Sequence, residues 1–597
     1  MANRTFGWIQ NPGDLSALKR VVGVFIPNSS SHNEVLKYKL PLLLHNNLIK
    51  REDYTVFVDV LGQNPIQIEY TIAKGKGCGS GPRANALCSG IIQAALNGQQ
   101  YKNLTGVDGK SIRIKKPYSD DWTTDGFLRW AVSTGLLEYD RTTDTLVATE
   151  LGKELVQTED GSAEEKQILS KALLSYPAVY RVLKLLSDGN AYTKFEIGNK
   201  LGFEGEMGFT SIPQEIYVYD FCSAATTTER TAVRSNLEGD SDKYARMICN
   251  WMVKLGWVSS TEKEVTETAY GMTYTATLAA WKITREGAKA IVLSDGNSSN
   301  PKIPKIVKFE MLATKCPDVD YIRLRRALIL NNLKNEKSLS SLVKALADNG
   351  IDESEDAVKD DIKNFERIGL NISCTSKGYK LTDKIEGLDI PVSRTAVSKG
   401  DVTKVKDNVR KQLSVLDHKY LILIDLAYSD ADSRAKKNAD AKQFEIETAN
   451  LFSKELGYRS ERLGDSNKPD VLIEYDNFGI IVDNKSYKDG FNLSASVRRE
   501  MADYIEQNDN RTPGIPTNEW WKWFSPAAST YAFLFVTSFL TGSFKDSLDT
   551  LHTMKGINGG AIGVENLLYL AEKIKSGKMD KSKLLDIMAN DEITISM

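Results

Sequence analysis

Three times before residue 390, an amphipathic helical stretch runs into glycine plus a large apolar residue, and then into two strand-like segments with a turn between them. The first unit reads from Phe127-Leu128-Arg129-Trp130 to Gly135-Leu136-Leu137, then Leu146-Val147-Ala148-Thr149 and Gly152. The second reads from Tyr244-Ala245-Arg246-Met247 to Leu255-Gly256-Trp257-Val258, then Ala280-Trp281-Lys282-Ile283-Thr284 and Gly287. The third reads from Ile362-Lys363-Asn364-Phe365 to Ile368-Gly369-Leu370, then Tyr379-Lys380-Leu381-Thr382 and Gly387. A period near 3.6 that stops at glycine and gives way to a period of two predicts a helix, its stop, and a β-hairpin. Shorter helices precede, as at Pro177–Leu186 and Thr193–Ile197. Helix plus hairpin is the second half of a winged helix-turn-helix. That unit places one helix in a DNA major groove, and it also serves elsewhere as a protein-docking module.

Beyond residue 390 the pattern changes. Lys404–Leu416 and Lys442–Leu456 have helical periodicity, and Phe533-Leu534-Phe535-Val536 is a continuous apolar run suited to a buried strand. Between them lies Pro469-Asp470-Val471-Leu472-Ile473-Glu474-Tyr475, a turn over Asp476-Asn477-Phe478-Gly479, and Ile480-Ile481-Val482-Asp483-Asn484-Lys485. On the returning strand Asp483 and Lys485 are two apart and leave on one face. The predicted fold is multidomain: three mostly α winged-helix-like recognition subdomains followed by a C-terminal α/β domain of PD-(D/E)XK type. Polar and Gly/Pro-rich stretches place the units at 1–158, 159–296 and 297–390, a linker at 391–402, and the last domain at 403–597.

The hairpin carries candidate chemistry. Asp470 and Asp483, with Asn484 beside them, are candidate ligands for a hard divalent cation, Mg²⁺ by expectation. Such a cation keeps several waters and takes further ligands from phosphate oxygens. Lys485 can orient or deprotonate a water, or stabilise developing negative charge. Asp470, Asp483 and Lys485 are therefore the candidate catalytic residues for phosphodiester hydrolysis. An ordinary hairpin with charged tips is the plain alternative.

Composition narrows the field without deciding it. The chain has 597 residues, too many for one core, with 41% hydrophobic and 26% charged residues. No apolar run approaches the about 18 residues of a membrane span, and the first residues lack the apolar core of a signal peptide. Six scattered cysteines and four dispersed histidines argue against a zinc site and for buried thiols in a reducing cytoplasm. A net charge of −2 does not announce a nucleic-acid binder. Positive surface must then be local, with candidate patches at Lys110–Lys116, Arg323–Arg326 and Lys399–Lys411.

Longer matches sharpen the reading. Arg4-Thr5-Phe6-Gly7-Trp8-Ile9-Gln10-Asn11-Pro12-Gly13, Asp125-Gly126-Phe127-Leu128-Arg129-Trp130-Ala131, Ser241-Asp242-Lys243-Tyr244-Ala245-Arg246-Met247, Glu310-Met311-Leu312-Ala313-Thr314, Arg325-Arg326-Ala327-Leu328-Ile329-Leu330 and Asn518-Glu519-Trp520-Trp521-Lys522 occur in this order. Through them the chain resembles, nearly end to end, the FokI family of type IIS restriction endonucleases, with its StsI branch as the expected position. The resemblance implies a bacterial, cytoplasmic restriction enzyme that reads the asymmetric site GGATG or a near relative and cuts both strands of duplex DNA at a fixed distance to one side. It further implies Mg²⁺ as cofactor, a cognate methyltransferase in the same system, and transient homodimers of the cleavage domain on DNA. A non-catalytic winged-helix regulator with a C-terminal dimerisation domain is the alternative.

The DNA-contacting residues carried over by motif are Gln10 and Asn11 of the N-terminal arm, Arg83, Trp122, and Glu238, Lys243 and Arg246 of the second subdomain. Amides suit adenine, Arg and Lys suit guanine, Glu suits cytosine, and an indole packs on a thymine methyl. Ser235 stands where the family has Asn, and Asn97–Pro117 is longer than in the family, so an altered specificity is expected. The spacer between Asp470 and Asp483 is shorter, which tightens the hairpin and leaves its ends. Glu445 matches a family glutamate that supports a second metal or a water, against the plainer reading of an exposed helix charge. The family pairs cleavage domains through a helix whose acid and base are here reversed in order, as Arg499 and Asp503. Reversing both preserves two reciprocal attractions across a two-fold axis and opposes like charges against the family's usual order. An intrahelical pair is the alternative.

Overall fold

The computed structural model describes residues 9, 12–77, 86–98, 101–105, 111–202, 205–207, 212–236, 240–269, 272–298, 300–314, 316, 318–391, 400–430, 434–464, 468–542 and 544–596. Each recognition unit is a winged helix. In the first, strand Ile68–Glu69 leads into helix Tyr70–Lys74, then recognition helix Asp121–Ser133, then a wing of Leu137–Asp140 and Thr145–Ala148. The wing's second strand sits between its first and Ile68–Glu69. The second unit repeats that order: helix Pro177–Leu185, strand Tyr192–Thr193, helix Lys194–Leu201, recognition helix Asp240–Lys254, and long wing strands Val258–Ala269 and Met272–Ile283. In the third, helices Val319–Asn332, Leu339–Ala347 and Glu355–Ile368 precede strands Ile372–Thr375 and Gly378–Leu381. Its edge strand has shrunk to a single bridge between Lys337 and Tyr379.

The glycines that mark the repeat in sequence stop the three recognition helices. Gly135, Gly256 and Gly369 hold φ of +72°, +76° and +108°, a left-handed conformation that a side chain disfavours. Starts are capped as well. Asp120 accepts from the Thr123 N–H at 2.6 Å, and Thr193 with Glu196 forms a reciprocal capping box. Insertions lie between the second and third helices of the first two units. They are a helix and hairpin (Ile91–Ala95, Tyr101–Thr105, Ser111–Lys115) in one, and helices Gln214–Ser223 and Thr227–Asn236 in the other.

The three units share one continuous apolar core that runs from Ile9 to Leu381. At its centre Trp130 of the first recognition helix stacks on Trp251 of the second, ring centroids 4.4 Å apart and planes at 15°. The Trp251 indole N–H donates to the Pro12 carbonyl at 2.7 Å, and Ile9 is buried, so these two residues are anchored in the shared core.

The C-terminal domain is built on a six-stranded sheet. β1 (Arg459–Arg462), β2 (Val471–Tyr475) and β3 (Phe478–Lys485) are antiparallel, and β4 (Thr530–Thr537), β5 (Asn558–Gly563) and β6 (Asp591–Glu592) continue parallel to β3. Alternate residues feed two cores. Ile480, Val482, Leu534 and Val536 face one side, where helices α1 (Arg434–Asn450) and α3 (Val564–Lys575) lie. Leu472, Ile481, Phe533 and Phe535 face the other, beneath α2 (Ala495–Asn510).

Some expectations change. The hairpin turn is tighter than the four residues Asp476–Gly479. Tyr475 pairs with Phe478, Gly479 is already in the strand, and Asp476 takes φ of +51°. The helix expected at Lys442–Leu456 starts at Arg434 and ends in a π-helical turn, Leu451–Glu455. The expected linker is already helical from Asp401, and 392–399 lie outside the described residues. Arg323–Arg326 is not a surface patch: Arg323, Arg325 and Arg326 are 1%, 6% and 3% exposed. Arg323 bonds the Ala313 carbonyl, Arg325 bonds Glu353 and Asp361, and Arg326 bonds Asp361 and Glu206. Cys88 and Cys249 are buried as expected, while Cys374 is exposed. No helix among the described residues is long and apolar enough to cross a membrane.

The C-terminal domain docks on the second and third units. Asp360 of the third unit faces His418 (3.2 Å) and Arg410 (3.5 Å), and Met207 of the second unit joins the apolar core beneath the six-stranded sheet.

Candidate active site and nucleic-acid interface

The predicted hairpin forms, and its register brings the chemistry together. Val471 pairs with Val482, so Asp470 lies one rung further on, opposite Asp483. Asp483 and Lys485 leave β3 on the face of α2, and the Lys485 ammonium lies 2.7 Å from Asp483 Oδ1 and 3.8 Å from Glu500 Oε2 of that helix. Asp470 Oδ2 accepts the Asn484 backbone N–H at 2.7 Å. The Asn484 side chain points the other way and donates to Thr448 Oγ1 of α1 at 2.8 Å. Glu445, one turn earlier on α1, is held by Arg462 Nε at 2.7 Å.

Electrostatics separate the members of the cluster. Burial, then the charges of Asp483 and Glu445, push the Asp470 carboxyl well above the usual aspartate range. Burial alone would pull Lys485 down, but the carboxylates of Asp483, Asp470 and Glu500 together outweigh it and the ammonium is held above its ordinary value. Lys485 is thus a cation at neutral pH.

The residues fit a hard cation. Asp483 Oδ2 is a buried acceptor without a hydrogen-bond partner, a costly state that an ion or its hydration shell relieves. Among the described residues no group of three His, Cys, Asp or Glu side chains is placed to bind a metal together. Two aspartates with open positions left for water and phosphate suit Mg²⁺.

The expected DNA contacts are less evenly placed. Trp122 sits in the first turn of the first recognition helix and is 59% exposed, so it is not a core residue. Lys243 and Arg246 are half-buried, three apart on the second recognition helix, hence on one face. Ser235 is exposed near the end of the helix Thr227–Asn236. Gln10, Asn11, Arg83 and Glu238 lie outside the described residues, as do the side chains of Lys110–Lys115. Arg499 and Asp503 are both exposed on α2, and Arg499 Nε donates to the Ala495 carbonyl at 3.3 Å. Sequence reasoning missed Thr448, Glu500 and Arg462 around the catalytic cluster and the Trp130–Trp251 stack. The only signal for the first of these was their place on helices or strands flanking the hairpin.

Comparisons with known proteins agree with this layout. Family models match for FokI recognition domain subdomain 1 over residues 4–158, recognition domain subdomain 2 over 165–299, the D3 domain over 312–377 and the cleavage domain over 399–594. The chain is 38% identical to the type II restriction enzyme FokI of Planomicrobium okeanokoites, covering 99% of both chains. It is 30% identical to the type II restriction enzyme StsI of Streptococcus sanguinis, covering 98% of this chain and 94% of that one. It is thus a relative of both and a near copy of neither. Two solved structures, of restriction endonuclease FokI and of FokI bound to DNA, each superpose with a TM-score of 0.87 at 36% identity, covering 99% and 100% of this chain and all of theirs.

Proposed function

The chain belongs to the FokI family of type II restriction enzymes, and on that premise we propose that it binds an asymmetric duplex DNA site, GGATG or a close relative, and hydrolyses both strands at a fixed distance to one side with Mg²⁺. The observation that carries this is the convergence of Asp470, Asp483 and Lys485 beside an orphaned carboxylate oxygen. Asp470 and Asp483, with Asn484 beside them, hold the cation. The cation, when bound, lowers the charge that builds on the phosphate and eases ionisation of water. Lys485, fixed as an ammonium by Asp483, donates to the phosphate or the incoming water and offsets negative charge in the transition state. It is not the base.

Reading falls to the first two units, 1–158 and 159–296. Gln10, Asn11, Arg83 and Trp122 serve the first recognition helix and its arm; Ser235, Glu238, Lys243 and Arg246 serve the second. Unit 297–390 spends its basic cluster on its own Glu353 and Asp361 and on Glu206 of the second unit, and it meets the 403–597 cleavage domain through Asp360, so it contributes little to reading. One cleavage domain cuts one strand, so duplex cleavage requires two, paired through Arg499 and Asp503. The enzyme works in a bacterial cytoplasm beside a methyltransferase that protects the same site.

Incubating plasmids with the protein and Mg²⁺ tests the proposal. Discrete fragments, whose sequenced ends give site and offset together, are expected. Asp483→Ala should abolish cutting and leave specific binding intact. Specific binding without cutting by the unmodified chain would make it a regulator, and a smear would make it a nuclease without sequence choice.

A further inference from the structure

Besides Glu500, which faces Lys485, three carboxylates crowd the catalytic end of the sheet, yet only two are placed as ligands. The third, Glu445, is held by a guanidinium on the edge strand: Arg462 Nε donates to Glu445 Oε2 at 2.7 Å, and the Arg462 side chain is 4% exposed. The segment that carries this arginine also fixes Asp470. The N–H groups of Leu463 and Gly464 both reach the Asp470 carbonyl, at 2.9 and 3.3 Å. Gly464 takes φ of +48°, and a Cβ there would fall 1.9 Å from a guanidinium nitrogen of Arg462. Only glycine lets the chain turn there and still leave the arginine its place. Glu445 and Thr448 lie on one face of α1, and Thr448 ties down Asn484. The edge strand and the helix therefore clamp the catalytic residues from both sides, with the Arg462–Glu445 pair as the cross-link.

We propose that Arg462 is a positioning residue that withholds Glu445 from the cation, so that the ligand set stays at two aspartates and keeps open positions for phosphate and water. The inference rests on the nuclease reading of the site. An Asp-Asp-Glu ligand set would grip a divalent ion more tightly and lower its effective charge, which binds better and catalyses worse. Arg462 prevents that by occupying Glu445 with a charge-assisted bond. Groups in this outer layer act on metal affinity or activity at a scale of about 10- to 100-fold.

The sign of the effect makes the test sharp. Mg²⁺ is titrated calorimetrically into the metal-free full-length protein and its variants, and cleavage rates are measured at saturating Mg²⁺. Arg462→Met should bind Mg²⁺ about tenfold more tightly and cut more slowly. Arg462→Lys, which keeps the charge, should stay near the parent. Glu445→Gln added to Arg462→Met should remove the gain. Arg462→Gln, neutral but polar, repeats the first arm if the methionine variant melts early by circular dichroism. Unchanged or weaker Mg²⁺ binding in both neutral variants, or tight binding that survives Glu445→Gln, overturns the proposal. Because binding is read without DNA, these outcomes are separate from the plasmid assay with Asp483→Ala, which tests the nuclease reading itself.

Discussion

Asp361 is the carboxylate that two buried arginines share, and replacing it with asparagine should open the third unit. Asp361 is 1% exposed and accepts Arg325 Nε at 2.7 Å, Arg325 Nη2 at 3.1 Å and Arg326 Nε at 2.7 Å. Asp361→Asn keeps the shape, removes the charge and turns an NH₂ group toward guanidinium donors. Breaking a buried ion pair from one side costs about 3–5 kcal/mol, and because Arg325 keeps Glu353 and Arg326 keeps Glu206, the loss falls toward the lower end of that range. Asp360→Asn is the control. Its partners His418 and Arg410 are part-exposed, so its loss is expected to cost under about 1 kcal/mol. Hydrogen exchange of peptides covering 319–368 reads the difference locally. Since about 1.4 kcal/mol is tenfold, exchange through opening of this unit should accelerate by roughly a hundredfold or more in Asp361→Asn and less than tenfold in Asp360→Asn.

The same carboxylate sets a pH dependence. Burial raises the Asp361 pKa, but Arg325 and Arg326 outweigh it, and the net shift is downward. The stability it supplies is fully present above the ordinary aspartate range and is lost as pH falls through the depressed folded value. Equal protection of residues 319–368 in Asp361→Asn and the parent at neutral pH would refute the reasoning.

Three further outcomes are expected. Raising the Asp470 pKa means that a proton competes with the cation, so Mg²⁺ affinity should fall as pH drops through that raised value. Binding should then release a proton, read as a dependence of the calorimetric heat on buffer ionisation enthalpy; no such dependence removes the assignment of Asp470 as a ligand. Asp503→Arg should suppress double-strand cleavage by putting like charges across the two-fold axis. Arg499→Asp added to it should restore cutting, and a double variant no better than the single one argues against that interface. Trp251→Phe leaves the buried Pro12 carbonyl without its donor at a cost of about 1–3 kcal/mol. It should weaken specific DNA binding while nonspecific binding and its salt slope stay as they were.

Local signals made much of the molecule legible before the fold was known. Helix-then-hairpin units with a closing glycine announced the winged helices because periodicity and φ > 0 are properties of a few neighbouring residues. The Pro469–Lys485 hairpin was readable for the same reason, since alternation fixes which side chains share a face. What failed was long-range. The arginines at 323–326 looked like surface charge because their acids lie far along the chain, Asp361 among them, and nothing nearby announces Glu206. The start of α1 at Arg434 was missed because its first turns are rich in Lys, Ala and Asp and carry no apolar stripe. Thr448, Glu500 and Arg462 reach the active site from three different elements, and sequence spacing gives no hint of that convergence. Trp130 and Trp251 meet only because two repeats pack back to back.

Met207 belongs by chain position to the second reading unit and by packing to the hydrophobic interior of the cutting unit. A graft that transplants residues 403–597 onto an unrelated reader leaves that methionine behind. The graft then carries an apolar socket facing water beside His418 and Lys419, where the Gly205 turn had covered it. Such a chimera inherits the blade with an uncorked seat, and closing that seat with a tethered Gly205–Met207 peptide becomes part of its design.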